Sequence, residues 1–364
     1  MLAKVRISLR DGRKRNLMYM YRVLVLVCWA TLVGSADGQP PLKQLKSELS
    51  RLVLVHGDSA WLGSHDYVKA LERDTDLIFS PALRQVSLNP FLIDRYEISN
   101  KDYRAFTNWV KDSIIRCLVA RVDSRFWQDS LRHMPRWDLE VDWENERVFD
   151  TIMGGLYFVG TRFYERSELI ADSLKYTFTD QNGSLKHVNV YPDTTTWMRE
   201  FGWMTEPMTD SYNWHPFYDD YPVVGITREQ AEAYCHWRTK QLNALLVRAG
   251  MESGSLGQYR LPSANEWECA AQPKGFERHT RGEILIDHYF TLMSGRNCAN
   301  LGNIHDDNML LVRADIFDTG WSPSVVLSGY ESDRGVFNMP GNVWEWVTDF
   351  DTDSMSGIHV FWRQ

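Results

Sequence analysis

Between residues 120 and 221 the chain is dense in tryptophan, tyrosine and phenylalanine, yet shows no sustained helical or strand period. "WDLEVDWENE" opens this stretch, and "NVYPDTTTWMREFGWMTEPMTDSYNWHPFYDDYPVVGIT" closes it with Pro and Gly throughout. Strands and short helices are possible in its first part; disordered segments are poor in aromatic residues, so the closing part reads as a long ordered loop. The whole chain carries 15 Trp, 16 Tyr and 16 Phe. Rings in that number fill a core first and supply large contact surfaces second. The expectation is an α+β domain with little regular secondary structure and long ordered loops.

The regular elements are few. "SNKDYRAFTNWVKDSIIRCLVARV" reads as an amphipathic helix with Ser99 or Asn100 as N-cap and Tyr103, Phe106, Val110, Ile114 and Cys117 on one face. "TREQAEAYCHWRTKQLNALLVRAG" is a second, with a Thr227/Gln230 capping box, Ala231, Tyr234, Cys235 and Trp237 toward the core, and Gly250 as its stop. "YRLPSANEWECAA" gives a short strand, a Pro turn and a helix capped by Ser263. Residues 52–55 and 60–62 read as a hairpin around Gly57-Asp58, and a further strand precedes Asp94. Residues 118–190 look inserted, and residues 273–337 are loop-rich.

The 364 residues allow one large domain or two ordinary ones. A net charge of −8 gives no basis for a nucleic-acid partner. "YRVLVLVCWATLVG" reads as the apolar core of a secretory signal peptide over residues 1–36, with the true start at Met18 or Met20 and cleavage after Ala36. Cys28 is a candidate for lipid attachment, although Val27 before it is bulky. Residues 37–50 are expected to be a polar linker, 51–350 the folded domain and 351–364 a short tail. Cys117, Cys235, Cys269 and Cys298 lie scattered in apolar settings, as buried free thiols do.

Several polar groups have more than one reading. Asp94 and Glu97 could be an acid–base pair, but Glu97 as a cap or loop anchor is the stronger reading. Arg260 with Glu266 or Glu268 reads as an ion pair pinning loop to helix. His215, beside Asp219 and Asp220, reads as a hydrogen-bonded packing residue. In "NMPGNVWEWVTDF", Asn338, Glu345 and the carbonyls of Gly341 and Val343 could converge on a hard cation such as Ca²⁺. Equally, the Asn and Glu side chains could satisfy backbone N–H groups of a tight turn. No Ser-His-Asp set, P-loop or dinucleotide fingerprint is present.

The blocks "WLGSHD", "IDRYEISNKDYRAF", "YPVVGITREQAEAYCHW", "RLPSANEWECAA" and "GNVWEW", in that order, resemble the formylglycine-generating enzyme (sulfatase-modifying factor) superfamily. The resemblance implies a C-type-lectin-like α+β fold. It raises the weight of Ca²⁺ at Asn338, Gly341, Val343 and Glu345, and implies a weaker second calcium site at Asn300, Leu301, Asp315 and Phe317. In the enzymes, the segment after "GNVWEW" leads to a catalytic, copper-binding cysteine pair. Here no cysteine follows Cys298, so formylglycine generation and copper are not expected, and the domain reads as truncated. Within the superfamily, "MGGLYFVGTRFYERSELIADSLKY" and "YPDTTTW…WHP" resemble the ring-forming lipoproteins of type IX secretion and gliding (the GldK/PorK family), with the gliding lipoprotein GldJ as nearest rival. That resemblance implies a non-catalytic subunit on the periplasmic face of the outer membrane. Its implied partners are a second periplasmic ring protein (the GldN/PorN family), an outer-membrane protein of the same machinery, and further copies of itself in a ring. A lectin-like ligand-binding module is the alternative.

Overall fold

The computed structural model describes residues 6–8, 40–56, 60–62, 84–129, 131, 134–159, 167–180, 182–197, 206–271, 323–328, 331–332, 334–339, 342–343 and 345–348. In chain order the elements begin with β1 (Arg6–Ser8), α1 (Pro40–Ser50), β2 (Leu52–Val55), β3 (Ala60–Leu62), β4 (Arg84–Val86) and β5 (Phe91–Asp94). Next come α2 (Asn100–Val119), β6 (Trp127–Asp129), β7 (Met134–Pro135), α3 (Glu146–Leu156), β8 (Tyr157–Val159) and β9 (Ser167–Leu169). β10 (Lys175–Thr179), β11 (Leu185–Asn189), α4 (Glu206–Ser211), α5 (Arg228–Arg248), β12 (Gln258–Arg260) and α6 (Ala264–Ala271) complete them. Helices and short antiparallel strands mix, as the α+β reading expected. No helix among the described residues is long and apolar enough to cross a membrane.

The chain divides into two compact units. The first comprises Met1–Asn100, His215–Val224 and Cys235–Gln364; the second comprises Lys101–Trp214 and Gly225–Tyr234.

The first unit is built on a four-stranded sheet in the order β12-β1-β5-β2. β5 is buried at all four positions, as its unbroken apolar start "FLI" foretells. Val55, Phe91, Ile93, Cys269, Ala270, Val336 and Met339 form the core against it. One expectation fails here. Residues 37–50 read as a linker because of Pro40-Pro41, but Pro40–Ser50 is helical and buries Leu45 and Leu49. Proline suits the first helical turn, where its missing N–H has no intrahelical partner to lose.

An ion network ties α1 to the sheet. Arg238 on α5 gives Nη1 and Nη2 to Asp94 at 2.7 and 2.9 Å, and Nε to Glu48 at 2.6 Å. The Tyr259 hydroxyl donates to the same Glu48 oxygen at 2.7 Å, and the Arg238 guanidinium lies 4.1 Å from the Tyr259 ring centroid. Burial alone would raise the Glu48 pKa. Arg238, the Tyr259 hydrogen bond and Arg51 outweigh it and hold the carboxyl below its usual value.

The second unit is packed by rings. Phe106 meets Tyr103, Tyr176 and Tyr234 edge-on at 5.7, 5.3 and 5.9 Å, and Tyr103 stacks on Tyr234 at 5.7 Å. Buried Tyr103 donates its hydroxyl to the Val190 carbonyl at 2.9 Å, and burial pushes its pKa well up. α2 buries Tyr103, Phe106 and Val110 as its spacing predicts, but Ile115, Leu118 and Val119 take over where Ile114 and Cys117 were expected. Asn100 turns its amide nitrogen to the Tyr218 carbonyl at 3.0 Å instead of capping α2. The Thr227/Gln230 capping box forms as expected, with bonds of 2.7 and 3.2 Å.

The inserted-looking segment contains regular structure. α3 is capped by Asn145, whose side chain accepts from Arg147 and Val148 N–H, and buries Val148, Ile152 and Leu156. A Cβ on Gly155 would stand 2.7 Å from Leu118 Cδ1, so α3 approaches α2 where only glycine fits without displacing that leucine. In β10 the alternation "KYTFT" buries Tyr176 and Phe178.

Candidate functional site

The turn carrying Asn338 and Val343 is shaped by two asparagines in left-handed backbone conformation. Asn338 has φ +55° and Asn342 φ +74°. Among residues with a Cβ, asparagine is one of the few that tolerate this region. Both side chains serve one acceptor. Asn338 Nδ2 donates to Glu97 Oε2 at 3.0 Å, and Asn342 Nδ2 donates to Glu97 Oε1 at 3.1 Å. Glu97 is fully buried, so each carboxylate oxygen needs a donor, and the two amides supply them.

The same amides staple a third segment. Asn338 Nδ2 also reaches the Val326 carbonyl at 3.1 Å, and Asn342 Nδ2 the Ser324 carbonyl at 3.2 Å. Asn342 Oδ1 accepts from Ser324 N–H at 2.8 Å. Backbone bonds flank the cluster: Phe337 N–H to the Arg95 carbonyl at 2.6 Å, and Val223 N–H to the Ile98 carbonyl at 2.9 Å. Outside it, Arg95 pairs with Glu331 at 2.7 Å and reaches the Gly335 carbonyl.

Glu97 is therefore a loop anchor, one of the two readings its position allowed. The sequence reading missed Asn342 and Ser324. Two asparagines four residues apart around Gly341 were the available signal. Asp94, the other half of the proposed carboxylate pair, turns to Arg238 instead.

The four residues expected to hold Ca²⁺ have separate attachments. A carboxylate only accepts, so the Asn338 nitrogen faces Glu97 and its Oδ1 faces away from that oxygen. The Trp267 indole N–H donates to Glu345 Oε2 at 2.5 Å, and Glu345 Oε1 is buried. Val343 is buried beside them in sequence. An amide oxygen and a carboxylate are hard-oxygen donors of the kind calcium takes. Gly341, Asn300, Leu301, Asp315, Phe317 and Cys28 lie outside the described residues. Among the described residues no group of three or more His, Cys, Asp or Glu stands together as a metal cluster.

The remaining polar candidates have structural roles. Arg260 pairs with Glu266 at 2.9 Å, while Ser263 and Glu266 exchange capping bonds of 2.9 and 3.3 Å. His215 caps a short helical turn, its Nδ1 accepting from Phe217 N–H at 3.1 Å. The described cysteines, Cys117, Cys235 and Cys269, are free thiols on three different helices, and burial pushes the Cys117 thiol up in pKa.

Residues 39–361 match the model of the sulfatase-modifying factor enzyme 1-like domain. The match starts at the foot of α1, earlier than the expected boundary at residue 51. No curated protein matches the chain. With most of its length inside that match, the chain belongs to the sulfatase-modifying factor enzyme 1-like family.

Proposed function

We propose that this protein is a non-catalytic, structural member of its family, a subunit of the periplasmic ring of the type IX secretion and gliding machinery. One observation carries the reading. The segment that departs from the common family pattern lies within the second compact unit and exposes large apolar side chains. Leu131 is 92% exposed, Phe158 60% and Trp143 50%, with Trp137 and Phe149 also open to solvent. Aromatic anchors of this kind are what protein interfaces bury at their centres.

The site chemistry supports the same reading. Glu97 is buried and accepts from two amides, which favours an anchoring role over proton transfer. Reactive cysteines need a lowered pKa, whereas burial raises that of Cys117, and Cys235 and Cys269 are buried. Under this reading, calcium held by Asn338, Gly341, Val343 and Glu345 would be structural, cross-linking the turn. The subunit would stand at the periplasmic face of the outer membrane, either released by cleavage after Ala36 or, alternatively, anchored by a lipid on Cys28. Its partners would be copies of itself, a second ring protein of the GldN/PorN family and an outer-membrane protein.

The test is affinity purification of the tagged chain from gently solubilised envelopes, followed by native sizing and mass spectrometry. A very large assembly containing a second periplasmic protein and an outer-membrane protein is the expected result. A partner-free monomer that binds a sugar or peptide saturably would replace the reading with a lectin-like module. Formylglycine in a Cys-x-Pro-x-Arg peptide would replace it with an oxidase.

A further inference from the structure

The turn ahead of α3 concentrates charge and rings. Residues 140–150 carry five carboxylates, Glu140, Asp142, Glu144, Glu146 and Asp150, against the single cation Arg147, a net −4 out of the chain's −8. All five are exposed, and so are Trp143 and Phe149 among them. The segment is ordered. Asp142 Oδ1 accepts from Glu144 N–H at 3.1 Å, and the Asn145 cap follows. Glu146, Phe149 and Asp150 stand at i, i+3 and i+4 on the side of α3 that the buried Val148, Ile152 and Leu156 leave open. The macrodipole of α3 accounts for Glu146 in its first turn. It accounts neither for Asp150 at the fifth helical position nor for two open rings.

Elsewhere the protein unites these same ingredients around its own arginines. The Arg116 guanidinium lies 5.2 Å from the Trp137 ring centroid, with Nε on Asp112 at 3.1 Å. Arg238 covers Tyr259 and grips Asp94, and Arg95 lies 5.8 Å from the Phe337 centroid and pairs with Glu331. Around Trp143 the carboxylates and the ring are present without the guanidinium. Among the described residues, no ion pair reaches the five carboxylates and no cation lies over Trp143. We propose that Asp142, Trp143, Glu144, Glu146, Phe149 and Asp150 form a docking face for an arginine-bearing surface of a partner protein. A guanidinium suits this face better than an ammonium, because its plane lies against a ring while its edge meets a carboxylate in two bonds. The sign of the charge repels an anionic bilayer. That the partner belongs to the same assembly rests on the ring reading; that the face takes arginine does not.

The experiment titrates the purified full chain with two synthetic peptides, one alternating arginine with glycine and the other alternating lysine with glycine. The arginine peptide should bind about threefold more tightly, and added salt should weaken both. Asp142→Asn with Glu144→Gln should weaken the arginine peptide about fivefold. Tm should not fall, because both groups are exposed and the new amide keeps an acceptor for the Glu144 N–H. Trp143→Ser should abolish the preference for arginine over lysine. Equal binding of the two peptides, or undiminished binding by the double variant, overturns the proposal.

For the partner, a benzophenone photo-cross-linker replaces the Phe149 side chain in envelopes. A cross-link to an arginine-bearing segment of another envelope protein, lost when Asp142→Asn and Glu144→Gln are added, supports the docking face. A cross-link to lipid or to a second copy of this chain, or none to protein, overturns the partner. A double variant that assembles to normal size and composition removes this face from the ring contacts and leaves the ring reading standing. A wild-type monomer without partners that still prefers the arginine peptide removes the ring reading and leaves the face standing.

Discussion

The two units are stabilised by opposite chemistries. In the first, Asp94, Arg238, Glu48 and Tyr259 form one buried ionic knot, and Glu97 with Asn338 and Asn342 forms a second. In the second, Tyr103, Phe106, Tyr176 and Tyr234 pack ring on ring, and the ion pairs Arg125–Asp123 and Arg136–Asp138 lie at the surface. Polar knots specify one geometry, because a half-satisfied buried charge is costly. Ring packing tolerates substitution of similar volume. The first chemistry suits a frame shared across a family. The second suits a segment whose surface can diverge toward new partners.

The contrast can be broken most severely at Arg238. Arg238→Ala strands Asp94, which is 1% exposed, and should cost about 3–5 kcal/mol in urea unfolding. Arg238→Lys should recover only part of that, because an ammonium cannot make the bidentate bond. Phe106→Ala should cost about 3–4 kcal/mol through the cavity it leaves. Its damage should appear in hydrogen exchange of residues 101–214 before those of β5. Equal loss of protection in both units would mean that they unfold as one and that the contrast is only descriptive.

Glu97→Gln is a subtler cut. It replaces an acceptor with an amide whose nitrogen faces the Asn338 or Asn342 donor, and should cost roughly 1–3 kcal/mol. If calcium binds the turn, EDTA should lower Tm in the wild type, and Asn338→Ala should abolish that response.

The pH profile sharpens the picture further. Burial, with Lys240 nearby, lowers the His236 pKa from 6.5 to about 4. The unfolded chain therefore binds a proton first as pH falls below about 6.5, and stability should decline from there to about 4. His236→Gln should flatten that slope. Glu48 works in the same direction in a more acidic window. Its folded pKa is lowered, so its stabilisation is present above the unfolded value and lost as pH falls through the folded one.

The smallest effect on stability should come from Trp143→Ser, within about 0.5 kcal/mol because the side chain is exposed. The same change should weaken envelope assembly. A stable variant that assembles normally would exclude Trp143 from the interface.

Local signals in the sequence proved the most legible. The Thr227/Gln230 box, the Arg260–Glu266 pair and the face of α2 through Val110 could be read within a few residues of each other. What stayed hidden depends on distant partners. α1 looked like a linker because its anchor, Arg238, lies 190 residues from Glu48. The Glu97 knot joins residues 241 and 245 positions apart, so no local window could name Asn342. α3 carried a readable signal, with Val148, Ile152 and Leu156 four residues apart, but Gly154-Gly155 in its last turn and the charged, aromatic sequence before it argued for a loop.

The Glu97 knot also governs how the protein ages chemically. Both asparagines aim a nitrogen at one buried carboxylate, so loss of ammonia from either would convert a donor into a second anion beside Glu97. A modification of a single mass unit, harmless on most surfaces, would there set two negative charges against each other in a site buried from solvent.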